Sequence, residues 1–172
     1  MKHLTLVLLG ACSQAASPSV DAHIAPDDTT SVAVDSGIDG TMGGTVRIVA
    51  LNEIAPGETP DWFEIVNATT APIQLGDFVY VDVKGDFAKA KAFPAMMLGP
   101  GARYVQNVDD VTSGFKLGSE EELWIYRAGD HALSDGADWA EGAAPTGMAY
   151  ARSPDIFGPF VTGAQTRGTA NP

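Results

Sequence analysis

The chain contains a single cysteine, Cys12, among its 172 residues. One thiol excludes a disulfide within the chain and also excludes a zinc site built from several thiolates. Basic residues are scarce as well, because 10 Lys and Arg stand against 22 Asp and Glu and leave a net charge of −12. Nucleic-acid binding needs a basic surface that releases counterions from phosphates, so this charge argues against a nucleic-acid partner.

Catalytic motifs are also lacking. The sequence has neither a G-x-S-x-G elbow nor a phosphate-binding glycine loop. Of its three histidines, His3 and His23 precede the predicted folded domain, so only His131 could serve a folded site. One histidine in a turn, without a placed partner, is typical of an exposed side chain. We therefore expect a protein that is not an enzyme.

The amino terminus combines a positive start with a short apolar run over residues 4–9, far too short to span a bilayer. It ends in Leu9-Gly10-Ala11-Cys12, which resembles the lipobox of bacterial lipoproteins. The resemblance implies a signal peptide over residues 1–11, acylation of Cys12 and a firm lipid anchor in the membrane. It also implies a location in the cell envelope, and Ser13 after the cysteine favours the outer membrane or cell surface. The alternative is an incidental thiol in a frayed terminus.

Residues 13–44 contain five aspartates but no lysine, arginine or aromatic residue. Such a segment cannot bury enough apolar surface to offset its chain entropy. We predict that residues 12–44 form a flexible, acidic, disordered tether between the acylated Cys12 and a folded domain over residues 45–172.

The predicted domain is punctuated by glycine and proline into short apolar runs, the pattern of an antiparallel β-sandwich. Its fold class is predicted as all-β, an immunoglobulin-like sandwich of about seven or eight strands. The main strands are predicted at residues 45–52, 61–67, 73–83, 102–106 and 123–127, with shorter extended pieces near 138–139 and 150–152.

The run Asp61–Asn67 is the most informative of these strands. Alternation places Phe63 and Ile65 on one face and Glu64 on the other. Glu64 has two interpretations. It is either a ligand or acid–base group working with Asp61, or a structural carboxylate that accepts hydrogen bonds from backbone or from an arginine such as Arg152. The second is favoured, because buried carboxylates are usually paired.

Eight short motifs follow one another along the domain: Glu53 with Asp61–Asn67, Leu75-Gly76-Asp77-Phe78, Phe93-Pro94, Leu98-Gly99-Pro100-Gly101, Leu123-Trp124-Ile125-Tyr126, residues 135–139, Tyr150-Ala151-Arg152 and residues 166–171. Their succession resembles the lamin tail domain family, an immunoglobulin-like sandwich also found in bacterial exported proteins. The resemblance implies that fold and the following fold-signature residues: Glu53, Asp61, Trp62, Glu64, Asn67, Gly76, Arg152, Gly168 and Asn171. Phe78, Ala149 and Arg167 depart from the family pattern, where Trp, Ser and Pro are usual. Lamin tails that contact DNA use basic surface, whereas residues 45–172 carry nine basic and 17 acidic residues.

Two kinds of ligand site remain open in the sequence. Calcium could bind at Asp109-Asp110, at Glu120-Glu121-Glu122 or at the pair Asp135 and Asp138, although such acid runs more often form a solvated face. An aromatic platform for sugars or peptides could be formed by Trp62, Trp124, Trp139 and Tyr80, although such side chains most often fill a core. Exposed sheet edges could accept a strand from a partner.

These observations lead to one functional expectation and one alternative. We expect a membrane-anchored surface lipoprotein that displays a non-catalytic binding or structural module, with no cofactor and with a protein or glycan as possible partner. The alternative is a calcium-dependent carbohydrate-binding or adhesive module.

Overall fold

The computed structural model describes residues 46–109, 111 and 114–172. Cys12, the predicted signal peptide and the predicted tether lie outside these residues. In chain order the strands are Val49–Ala55 (β1), Asp61–Asn67 (β2), Ile73–Gln74 (β3), Phe78–Val81 (β4), Lys91–Ala92 (β5), Met97–Leu98 (β6), Arg103–Val108 (β7), Glu121–Arg127 (β8), Leu133–Trp139 (β9), Met148–Arg152 (β10) and Phe160–Ala164 (β11).

The strands form two main sheets. One has five strands in the order β11-β10-β1-β2-β7, and the other has four in the order β5-β4-β8-β9. β3 and β6 form a separate two-stranded ribbon. Every pairing is antiparallel. Helical structure in the described part of the chain consists of two 3₁₀ turns, and neither is long or apolar enough to cross a membrane.

The core lies between the facing sides of the two main sheets. Phe63 and Ile65 of β2 pack with Leu123 and Ile125 of β8, and Trp139 of β9 joins the same buried cluster. Trp62 belongs to a separate cluster on the opposite face of β2, so the predicted alternation of that strand is confirmed. The predicted fold class, an all-β antiparallel sandwich, is also confirmed.

The aromatic-platform hypothesis is wrong. Trp62, Trp124, Trp139 and Tyr80 are each no more than 6% exposed. They also belong to three different clusters, with Trp139 and Tyr80 in the main core and Trp62 and Trp124 in two smaller ones. These side chains stabilise the fold by burial and do not form one exposed surface.

The first strand is displaced from its predicted position, residues 45–52, to Val49–Ala55. Its pairing with β2 runs from Leu51↔Ile65 directly to Glu53↔Glu64 and leaves Asn52 as an extra, bulged residue. Because a bulge shifts the side-chain alternation by one residue, Leu51 and Ile54 both face the core. Asn52 and Glu53 are therefore both directed to the outer face of the five-stranded sheet.

The predicted strand over residues 73–83 is broken. A 3₁₀ turn at Leu75–Asp77 separates β3, which pairs with β6, from β4, which pairs with β8. The chain therefore changes sheet at this point. Gly76 permits this change of sheet because the backbone passes close to Ala95 here. A Cβ on residue 76 would lie 3.1 Å from the Cα of Ala95.

β11 has no counterpart among the predicted strands. It lies at the edge of the five-stranded sheet and is mostly exposed, so it lacks an apolar alternation. Its five residues pair with β10, and Arg152 lies opposite Phe160. The eight strands of four or more residues in the described ranges agree with the predicted seven or eight.

Gly136 provides a stability test of the four-stranded sheet. A Cβ at this position would lie 2.2 Å from Cε3 of Trp124 and 2.9 Å from the carbonyl oxygen of Leu123. We expect Gly136→Ala to lower the free energy of unfolding by about 1–3 kcal/mol, because the buried indole must move. Gly163→Ala is the matched control, since a Cβ on this other strand glycine meets nothing within 4 Å. Urea denaturation of both variants checks the difference, and equal midpoints would contradict the packing described.

Candidate functional site

The outer face of the five-stranded sheet holds two carboxylates side by side. Glu53 of β1 and Glu64 of β2 are register partners, and each is fully buried. Side chains at paired positions lie on the same face, and two like charges placed there repel each other. The role of the site therefore depends on what each carboxylate binds.

Glu64 accepts three hydrogen bonds. Its Oε1 accepts from Asn52 Nδ2 at 2.9 Å and from Arg103 Nη1 at 3.2 Å, and its Oε2 accepts from the Gly168 N–H at 2.7 Å. This is the environment expected of a structural carboxylate. The arginine, however, is Arg103 of β7, and the suggested pairing with Arg152 is wrong.

Asp155 completes the ion network around Arg103. Arg103 Nη2 donates to its Oδ2, while Asn52 Nδ2 at 3.1 Å and the Asn171 N–H at 3.0 Å donate to its Oδ1. Burial acts to raise the pKa of Asp155, but these hydrogen bonds and the charge of Arg103 outweigh it, so the pKa is lowered. Asp155 therefore serves as an anionic bridge between the sheet and the chain near Asn171.

Among the residues that the structure describes, Glu53 is hydrogen-bonded to Thr166. Its Oε1 lies 2.7 Å from the Thr166 backbone nitrogen, and its Oε2 lies 2.8 Å from Thr166 Oγ1. Burial raises the pKa of Glu53, the two bonds from Thr166 act in the opposite direction, and the neighbouring charge of Glu64 raises it further. No arginine donates directly to Glu53 among the hydrogen bonds of the described residues.

Residues 166–171, which we call the C-terminal segment, are held across this face. The Asn171 side chain is buried and donates to the carbonyl oxygens of Asn52 at 3.1 Å and Arg152 at 2.9 Å. Gly168 has φ +81°, a left-handed conformation that favours glycine and directs its amide to Glu64. Arg167 lies over the ring of buried Trp62, with 5.1 Å between the guanidinium carbon and the ring centroid.

Arg152 makes a second buried polar centre that joins the two sheets. It donates from Nε to the Leu51 carbonyl at 2.8 Å, from Nη1 to the Gly158 carbonyl at 2.8 Å, and from Nη2 to both oxygens of Asp135 at 2.9 and 3.0 Å. Asp135 also accepts from the Leu51 N–H at 2.9 Å. Burial raises the pKa of Asp135, although the charges of Arg152 and Arg47 act in the opposite direction. This pair connects β10 and β1 with β9.

Asp61 and Asn67 each stabilise a turn next to β2. Asp61 accepts from the N–H groups of Gly57 at 2.7 Å and Glu58 at 3.1 Å. Asn67 donates to the carbonyl oxygens of Ala71 at 2.8 Å and Leu98 at 2.9 Å. Asp61 lies on the core face of β2, opposite the face that carries Glu64. The hypothesis that Asp61 and Glu64 work together is therefore wrong.

The predicted calcium candidates are dispersed. Asp135 is bound by arginine, and the odd spacing in β9 places Asp138 on the other face, so the two do not form a pair. Glu121 accepts from Gly118, while Glu122 accepts from the backbone of Lys84. Asp110 lies outside the described residues. Within those residues, no group of three or more His, Cys, Asp or Glu side chains has a metal-binding arrangement.

An open cleft of about 630 Å³ lies at one end of the sandwich. It is lined by the β1–β2 turn and two later loops: Pro56, Gly57, Lys116, Leu117, Gly118, Ser119, Glu121, Glu141, Gly142, Ala144, Pro145 and Thr146. Burial raises the pKa of Glu121, and the charges of Asp82 and Asp61 act in the same direction. The cleft is separate from the polar network on the outer face, because the network residues are not among those that line it.

The buried side chains of the outer-face network are hydrogen-bonded. In the part of the chain that the structure describes, every buried side-chain nitrogen and oxygen has a hydrogen-bond partner. Comparisons with protein-family models, curated proteins and solved structures found no match to this chain. Any functional assignment must therefore be argued from this geometry and from the amino-terminal motif.

Four network residues, Asn52, Arg103, Asp155 and Thr166, are missing from the predicted set of fold-signature residues, although Thr166 belongs to the predicted motif over residues 166–171. Asn52 stands at the predicted end of the first strand, where the sequence gives no sign of a bulge. Arg103 and Asp155 reach Glu64 and Asn171 only after folding, across 39 and 16 residues of sequence. Spacing in the sequence carries no signal of such contacts, whereas Glu53, Glu64, Gly168 and Asn171 are named by the family resemblance.

Proposed function

We propose that this chain is a lipid-anchored envelope lipoprotein that displays a non-catalytic, lamin-tail-like sandwich as a binding or structural module. The observation that most supports this proposal is that the carboxylates on the outer face of the five-stranded sheet bind the C-terminal segment. Glu53, Glu64 and Asp155 accept backbone N–H groups of Thr166, Gly168 and Asn171. Acid–base chemistry requires a carboxyl group within reach of a substrate proton, and these groups face their own chain.

The proposal that the domain is lamin-tail-like is supported by residues that are distant in the sequence and meet in the fold. Glu53, Glu64, Gly168 and Asn171 are far apart in sequence, yet their side chains or amides meet in one network. The resemblance to lamin tail domains names these positions together. Their contacts offer a physical reason for such a pattern, since each position binds or forms part of the C-terminal segment.

The partner is proposed to be a protein or a glycan rather than a nucleic acid or a bare lipid surface. The net charge of −12 repels phosphates and anionic membranes alike. Membrane association is then assigned to acylated Cys12, with the acidic tether holding the module away from the outer membrane or cell surface. No cofactor is required for this function.

The anchor is tested by expressing the full chain in a bacterial host and comparing it with Cys12→Ala. We expect the wild-type protein in the membrane fraction, with an intact mass that begins at Cys12 and includes acyl chains. Cys12→Ala is expected to lose both the acyl mass and membrane retention, because the thiol is the acyl acceptor. Ser13→Ala is the matched control and should remain acylated. A wild-type chain that begins at unmodified Met1 would contradict the anchor.

A further inference from the structure

The hydroxyl group of Thr166 lies between two oxygens. Its Oγ1 is 2.8 Å from Glu53 Oε2 and 2.5 Å from Asn171 Oδ1. A threonine hydroxyl has one proton, so it can donate to only one of them. The other contact requires a proton from the facing group.

Asn171 cannot supply that proton from its Oδ1 side. Its Nδ2 faces the carbonyl oxygens of Asn52 and Arg152, which only accept hydrogen bonds. Rotating the amide by half a turn would place Oδ1 against those two carbonyl oxygens, so that acceptors would face acceptors. The amide orientation is thereby determined, and Thr166 Oγ1 must donate to Asn171 Oδ1.

The remaining contact, between Thr166 Oγ1 and Glu53 Oε2, then needs a proton on Glu53. We propose that Glu53 is a neutral carboxylic acid in the folded protein and that its proton completes a chain of hydrogen bonds from Glu53 through Thr166 to Asn171. In this form Oε2 donates to the Thr166 hydroxyl, while Oε1 accepts the Thr166 backbone N–H. The protonated Glu53 thus binds the C-terminal segment to the sheet.

The charged groups around Glu53 agree with this assignment. Glu64 lies opposite it on β2, whereas its partner on β10 is the uncharged Ala151. Arg103 of β7 is engaged by Glu64 and Asp155. Two adjacent buried carboxyl groups that share one nearby guanidinium are stabilised when one of them keeps its proton. Burial and the charge of Glu64 raise the pKa of Glu53, and they outweigh the contacts with Thr166 and the charge of Arg103, which act in the opposite direction.

Ionisation of Glu53 is therefore expected to weaken the binding of the C-terminal segment to the sheet. The pKa of Glu53 is higher in the folded protein than in the unfolded chain. At pH values between these two, the folded state holds a proton that the unfolded state has released. The folding equilibrium constant then falls as pH rises through this window, by up to about tenfold per pH unit. The inference goes beyond the proposed display function, because it makes the C-terminal segment pH-responsive and allows Trp62 and Glu64 to be uncovered at higher pH.

The test compares the wild-type protein with Glu53→Gln, whose side-chain amide reproduces the acceptor and the donor of the neutral acid. Infrared spectroscopy at neutral pH should show the carbonyl band of a protonated carboxyl group that is present in the wild-type protein and missing from Glu53→Gln, as read from the difference between the two spectra. Urea titrations across pH should show the wild-type folding constant falling relative to that of Glu53→Gln. Absence of the band, or parallel pH curves, would overturn the proposal.

Thr166 supplies a second, independent pair of variants. Thr166→Val removes the acceptor of the Glu53 proton, so the carboxyl band should move toward the position of an acid without a hydrogen bond. Thr166→Ser keeps the hydroxyl group and should leave the band in place. An identical infrared spectrum for both variants would contradict the proton chain even if Glu53→Gln failed to fold.

Discussion

Replacing Arg152 by alanine is expected to lower the free energy of unfolding by about 3–5 kcal/mol, the usual cost of breaking a buried ion pair. The guanidinium group binds both oxygens of Asp135 and two backbone carbonyls. Its removal leaves Asp135 buried with only the half-exposed Arg47 as a cationic partner. The loss should also weaken the connection between the two sheets, because Asp135 belongs to β9 and Arg152 to β10.

Arg127→Ala is the matched control for this experiment. Arg127 pairs with Asp130 at 3.5 Å, but about half of each side chain is exposed. Exposed pairs contribute about 0–1 kcal/mol, so the two substitutions should differ by several kcal/mol in urea denaturation. A similar, small effect for both would mean that the Arg152 network does not contribute to folding as described.

Replacing Glu64 by glutamine should cost about 3 kcal/mol, although the side-chain shape is nearly unchanged. Three donors converge on the carboxylate, from Asn52, Arg103 and Gly168. A glutamine offers one acceptor oxygen and turns an N–H₂ group toward at least one of these donors. Arg103 also loses one of its two anionic partners while its side chain is only 16% exposed.

Glu120→Gln removes the same charge from an exposed position and is the control for Glu64→Gln. We expect its effect to lie within about 0.5 kcal/mol, the usual range for surface substitutions. Thermal and urea unfolding of both variants measure the difference. Unchanged stability in Glu64→Gln would count against the structural role of this carboxylate.

The strand Asp61–Asn67 shows what the sequence predicts well. Turn-forming residues precede and follow it, and its alternation separates Phe63 and Ile65 from Glu64 without a bulge. Its bounds and faces therefore follow from local chemistry. Even the hydrogen-bonded state of Glu64 follows, because a carboxylate among apolar neighbours must find donors when it is buried.

The identity of those donors does not follow from the sequence. Arg103 and Arg152 are both arginines at the ends of apolar strands, and only the pairing of β7 with β2 places Arg103 near Glu64. The bulge at Asn52 is equally hidden, because every residue of β1 is buried and the apolar pattern does not mark the extra residue. A polar network built from five separate segments depends on register and on loop paths, which local periodicity does not encode.

Native-state hydrogen exchange of the backbone amides of Thr166, Gly168 and Asn171 tests the central claim most directly. These three N–H groups donate to Glu53, Glu64 and Asp155 respectively. If the acids of the outer face hold the C-terminal segment, all three amides should be protected in the wild-type protein, and Gly168 should lose protection in Glu64→Gln. Exchange of these amides in the wild-type protein at the rate of an unstructured chain would contradict the account.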